Sequence, residues 1–165
     1  MEDISPPYYT STDTTTINNY LNKNSSRKLD LDPLYQRDVV WDKNKQIDLI
    51  DTMIKNYPIG QIILNLDEHN NILICMDGKQ RLTSINNFFN NKIYYIGKNK
   101  EYIYFSKAPK DNNNRKMTKK EQSQFQSYTI QIAQYKNLSY NTQTEIFYRI
   151  QNGIVIRYSE LLLSF

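Results

Sequence analysis

The segment Met76-Asp77-Gly78-Lys79-Gln80-Arg81-Leu82-Thr83 sets a carboxylate, a glycine, two cations and an amide side by side. It falls where an apolar run, Ile72 to Met76, gives way to a helical pattern. The N–H groups at a helix start and the helix dipole both favour an anion there. Gly78 allows close approach of backbone to ligand. Arg81 offers a planar fork suited to phosphate oxygens, and Lys79 adds a mobile positive charge. Asp77 could hold a metal, orient Arg81 or bind a sugar hydroxyl. The plainer reading, a strand-to-helix turn with Asp77 as cap and Arg81 in solvent, also fits these residues taken alone.

Two further clusters carry suitable groups. Pro33-Leu34-Tyr35-Gln36-Arg37, followed by Val40-Trp41, supplies Gln36 and a second guanidinium, Arg37, that could meet Arg81 at a shared anion. Its alternative is a surface arginine beside an anchoring Tyr35 and Trp41. Ile146 to Gly153, running on to Ser159-Glu160-Leu161, ends a helical pattern at Asn152. Asn152 is either a helix C-cap or an amide pointing into the same pocket. The sole histidine, His69, reads as a solvated turn residue, and the sole cysteine, Cys75, as a buried thiol. No Cys/His metal cluster or Ser/His/Asp set can be assembled from the sequence.

These residues need elements to hold them. Ile47, Ile50, Ile54 and Tyr57 share one face of a helix predicted over about 43–57, with Asp42 as N-cap and Pro58 and Gly60 as its stop. Ile62 to Leu66 and Ile72 to Met76 read as a hairpin around Glu68-His69-Asn70-Asn71. A helix over about 80–89 should bury Leu82, Ile85, Phe88 and Phe89. Short strands are expected at 93–96 and 102–105, and a charged loop over 111–116. Thr118 and Glu121 have capping-box spacing. A strand is expected at 128–133, a helix at 142–151, and a last apolar helix at 161–165. Residues 1–28 read as a polar N-terminal arm with a short helix near Ile17, and residues 29–165 as one domain. The class is α+β.

The order and spacing of these pieces resemble the N-terminal domain of the GmrSD restriction endonuclease family. The family hallmark, Asp-Gly-Gln-Gln-Arg, corresponds to Asp77 to Arg81, with Lys79 in place of the first glutamine. A later Arg-Ile-Asn-x-Gly, followed by Glu-Leu, corresponds to Arg149 to Gly153 and Glu160-Leu161, with Gln151 in place of the asparagine. The resemblance spans about residues 29–162. It implies a ParB/sulfiredoxin-like fold whose Asp-Gly turn binds a nucleotide, in a family that hydrolyses NTPs in defence against foreign DNA. Carried onto this chain, the nucleotide site comprises Gln36, Arg37, Asp77, Gly78, Lys79, Gln80, Arg81 and Asn152. Asp77 and Arg81 are its catalytic candidates, with Mg²⁺ met by Asp77 and the phosphates. Full-length members add an HNH-type nuclease domain, whose His and Asn ligands are not found here. This chain alone is therefore expected not to cut DNA.

Composition bounds the alternatives. The chain has 165 residues and a net charge of +4, compatible with a phosphate-bearing partner without identifying one. Its richness in Asn, Ile, Lys and Tyr matches AT-rich codons, as in large DNA viruses or low-GC bacteria. No secretory signal or membrane-length apolar run is visible, so the expected setting is cytoplasmic, or host cytoplasm or virion for a viral protein. The expected partners are a nucleotide and either a separately encoded nuclease or a viral structural protein. The competing expectation is a non-catalytic interaction protein, such as a virion component, that keeps the fold. Direct DNA binding ranks last, because the sequence has no recognised reading helix or basic run.

Overall fold

The segments Ile62 to Leu66 and Ile72 to Met76 bury most of their side chains on both faces, which places them at the centre of a sheet. The computed structural model describes residues 10–23, 26–35 and 40–152. The chain first forms β1 (Thr10–Thr16), α1 (Ile17–Lys23), β2 (Lys28–Asp30) and α2 (Lys43–Ile54). The central hairpin follows as β3 (Ile62–Asp67) and β4 (Ile72–Asp77), then α3 (Lys79–Phe89). Short strands β5 (Tyr95–Ile96), β6 (Tyr102–Tyr104) and β7 (Asn114–Lys116) come next. The chain closes with α4 (Lys119–Gln126), β8 (Thr129–Lys136) and α5 (Tyr140–Gln151).

The main sheet has the order β1-β8-β3-β4-β2 and the small one β5-β6-β7, which makes the class α+β. Antiparallel and parallel pairs alternate across the main sheet. The hairpin, the α3 helix and the capping box at Thr118 and Glu121 form where the sequence places them. One apolar core joins both sheets. Phe88 of α3 is fully buried, with its ring 6.0 Å from Phe105 and 5.0 Å from Phe125.

Several expectations change. Residues 10–23 of the polar arm join the sheet and the core of the domain itself: β1 pairs along its whole length with β8, and Ile17 and Tyr20 enter the core. Threonine-rich segments lack hydrophobic alternation, yet β-branched side chains favour a pleated edge. Helix α2 stops at Ile54, because Asn56 takes a left-handed φ of 59° before Pro58 is reached. Tyr57 is consequently 60% exposed and off the core face. Residues 114–116, expected in a loop, form the parallel edge strand β7. Of the expected core, Ile54, Ile74 and Phe89 are half-buried. The expected helix at 161–165 and residues 1–9 of the arm lie outside the described residues. No helix among the described residues is long and apolar enough to cross a membrane.

Candidate functional site

Strand β4 ends at Asp77, and the chain turns into α3 through Gly78 at φ 105°. A side chain at Gly78 would strain the backbone and bring its Cβ to 3.0 Å from Ile62, so the turn requires glycine. The turn opens into a cavity of about 560 Å³, within the size range of ligand pockets. Asp77, Gly78, Lys79, Gln80, Arg81 and Asn152 all line it. Tyr35, Trp41, Phe147 and Tyr148 supply aromatic walls. Gln36 and Arg37 lie outside the described residues, although Tyr35 and Trp41 on either side of them border the cavity. Arg149 of the third motif instead faces solvent and pairs with Glu145 at 2.8 Å.

The polar groups of the turn hold neighbouring segments in place. Arg81 Nη2 donates to Asp77 Oδ2 at 2.7 Å. Its Nη1 donates to the carbonyls of Ile59 at 2.9 Å and Gln61 at 3.0 Å. Gly60, at φ 80°, lies where an added Cβ would come within 2.8 Å of that Nη1. Arg81 therefore ties the loop before β3 to the signature turn and fixes the Asp77 carboxylate. Lys79 reaches across to an ion pair with Asp32. Gln80 Oε1 accepts the Trp41 N–H at 3.0 Å, and Gln46 Nε2 donates to the Trp41 carbonyl at 3.0 Å. Tyr35 is held at the other side of the cavity: its hydroxyl donates to Gln143 Oε1 at 3.1 Å. Burial raises the Tyr35 hydroxyl well above its ordinary pKa, so it stays a neutral donor.

Sequence reading placed Tyr35 and Trp41 as anchors but missed Phe147, Tyr148 and Gln151 as lining residues. The signal was available as helical spacing. Phe147 and Gln151, like Tyr148 and Asn152, are four residues apart and share a side of α5. Burial pushes the Cys75 thiol up to about 12, which makes it a core residue without a reactive thiolate. Among the described residues there is no cluster of three or more His, Cys, Asp or Glu that could hold a metal. His69 is exposed in the β3–β4 turn.

A larger cavity, about 770 Å³, opens between α2, α4 and the small sheet, and no signature residue lines it. Its main polar feature is self-contained. Arg115 grips Glu121 with two hydrogen bonds of 3.0 and 2.9 Å, and Glu101 lies 3.6 Å from its Nε. Arg115 is the chief reason the Glu121 carboxyl falls to about 2. This array pins β7 to α4 rather than presenting a free charge.

A family model described as GmrSD restriction endonuclease, N-terminal domain, matches residues 17–164 of the chain. No curated protein and no solved structure matches it.

Proposed function

Since the chain belongs to the GmrSD restriction endonuclease N-terminal domain family, we propose that it is a ParB/sulfiredoxin-like nucleotide-binding module whose site is the cavity at the Asp77–Arg81 turn. The observation that carries this reading is convergence. Six residues expected from the sequence line one open cavity together with four aromatic side chains. In this reading the positive end of α3 faces the phosphates, while Lys79, paired with Asp32, lines the cavity beside it. Tyr35, Trp41, Phe147 and Tyr148 offer ring faces to the base. Gln151 and Asn152 supply amides that can both donate and accept.

The geometry shifts the role of Arg81. With Asp77 and two carbonyls already on its fork, it acts as a positioning residue that orients Asp77, rather than as the main phosphate clamp. Among the described residues, Asp77 is the single carboxylate in the lining. It suits Mg²⁺ that arrives on nucleotide phosphates, since that ion takes one or two carboxylates and fills its remaining positions with phosphate and water. Bound there, Mg²⁺ would offset phosphate charge, and Asp77 would hold it to the turn.

The same internal bonds favour a second reading, in which the motif has become purely architectural and the domain serves as an interaction module. Trp41 decides between them, because it is the only tryptophan and borders the cavity. Titration with Mg²⁺ and each NTP is expected to change its emission saturably, and Asp77→Asn to weaken the response. Unchanged emission and no retention in equilibrium dialysis at millimolar nucleotide would reject nucleotide binding and leave the architectural reading.

A further inference from the structure

Between Lys92 and Lys120 the chain carries nine lysines and arginines against two acidic residues, Glu101 and Asp111, although its overall excess is only +4. The rest of the chain is therefore net acidic, and the positive charge is concentrated on the small sheet and its loops. Among the described residues, Arg115 is the only cation of this segment in an ion pair. The lysines here meet no carboxylate partner among the described residues.

The two faces of the small sheet differ. Ile103 of β6 points into the core, with Tyr95 and Arg115 as its register neighbours. Tyr102 and Tyr104 alternate with Ile103 and stand on the opposite face. There Ile96 lies beside Tyr102, while Asn114 and Lys116 flank the two tyrosines on β7. The Tyr94 ring joins them, 4.5 Å from Tyr102 and 5.7 Å from Tyr104 between centroids. Lys43 Nζ, at the start of α2, sits 4.5 Å from the Tyr94 ring centre. Tyr102 is 37% exposed and Ile96 45% exposed. The outer face is thus a contiguous aromatic surface bordered by Lys43 and Lys116.

We propose that this face binds single-stranded nucleic acid, with bases stacked on the tyrosine cluster and phosphates met by Lys43, Lys116 and the loop lysines. Ring faces on a sheet can stack unpaired bases of any sequence, whereas the bases of a duplex are already stacked and leave the rings nothing to cover. The charge complements a polyanion, and the tyrosines add what charge alone lacks. The site lies apart from the Asp77 cavity, and the proposal stands whether or not that cavity takes a nucleotide.

Fluorescence anisotropy of the full chain tests this, using labelled oligothymidylate and oligouridylate of about 12 nucleotides, a typical span for such platforms. A duplex of equal length and vesicles of anionic phospholipid serve as competitors. At least one single strand is expected to bind, more tightly than the duplex, and the preferred one shows whether the face takes DNA or RNA. Tyr102→Ala should weaken binding about tenfold, as loss of one stacked base does, and Tyr102→Phe should keep it. Lys43→Gln combined with Lys116→Gln should reduce the slope of log affinity against log salt by about 1.4, the loss of two single-strand phosphate contacts. Thermal melts verify that each variant is folded. Absence of binding at low salt, equal or tighter duplex binding, wild-type affinity in folded Tyr102→Ala, or displacement by the vesicles would each overturn the proposal.

Discussion

The signature turn at Asp77–Arg81 and the small-sheet region between Lys92 and Lys120 both gather positive charge, and the fold uses it in opposite ways. At the turn, Arg81 spends its fork on Asp77 and two carbonyls, and Lys79 pairs with Asp32. On the small sheet only Arg115 is paired among the described residues, and the lysines stay on the surface beside tyrosines in tilted and edge contact. Charge that is enclosed and bonded shapes a cavity wall. Charge that is solvated leaves the fold indifferent and is available to a partner. A recognisable motif is therefore no guarantee that its cations face the ligand.

The largest expected effect tests whether the two regions are one folding unit. Phe88 comes from the helix of the turn and packs on Phe105 and Phe125 beside the small sheet. Phe88→Ala should cost about 3–5 kcal/mol and lower a single cooperative transition seen alike by far-UV and near-UV dichroism. Two separated transitions would mean that the regions unfold independently and that their contrast is one between two bodies.

Arg81 tests the contrast itself. Arg81→Ala leaves a partly buried carboxylate and two carbonyls without their donor. It should cost about 2–3 kcal/mol, and Arg81→Lys should not restore it, because an ammonium cannot span the same fork. By comparison, Lys107→Gln and Lys110→Gln should stay within about 0.5 kcal/mol of wild type. Urea denaturation gives both numbers; similar values for Arg81→Ala and the lysine variants would erase the difference between enclosed and solvated cations.

The smallest effect concerns Arg115, the cation of the small sheet that pairs with Glu121. Arg115 lowers the Glu121 carboxyl from its ordinary 4.5 to about 2. Because the folded value lies below the unfolded one, the stabilisation is complete above about pH 4.5, and it is lost as pH falls towards 2. Glutamine can keep the capping box while removing the charge. The melting temperature of wild type should therefore fall more steeply than that of Glu121→Gln between pH 4.5 and 2. Parallel curves would show that the ion pair is too solvated to matter.

The sequence by itself determined the local pieces. Two apolar runs around Glu68-His69-Asn70-Asn71 specify the β3–β4 hairpin, and Asp-Gly after the second run specifies the turn into a helix. Asp42 and Thr118 start helices through caps that act within three residues, as the short bonds to Lys45 N and Glu121 N confirm. Interactions of this range leave a mark on neighbouring residue types, which is why they can be read. Tertiary structure alone decided the rest. Thr10–Thr16 becomes a strand because β8, more than a hundred residues later, supplies its partners. Tyr35 is anchored by Gln143, which no spacing rule connects to it. Whether Arg81 meets a ligand or the carbonyls of Ile59 and Gln61 depends on where the loop before β3 crosses α3. These outcomes follow from long-range packing, which sets the choice among partners that local residue patterns leave open.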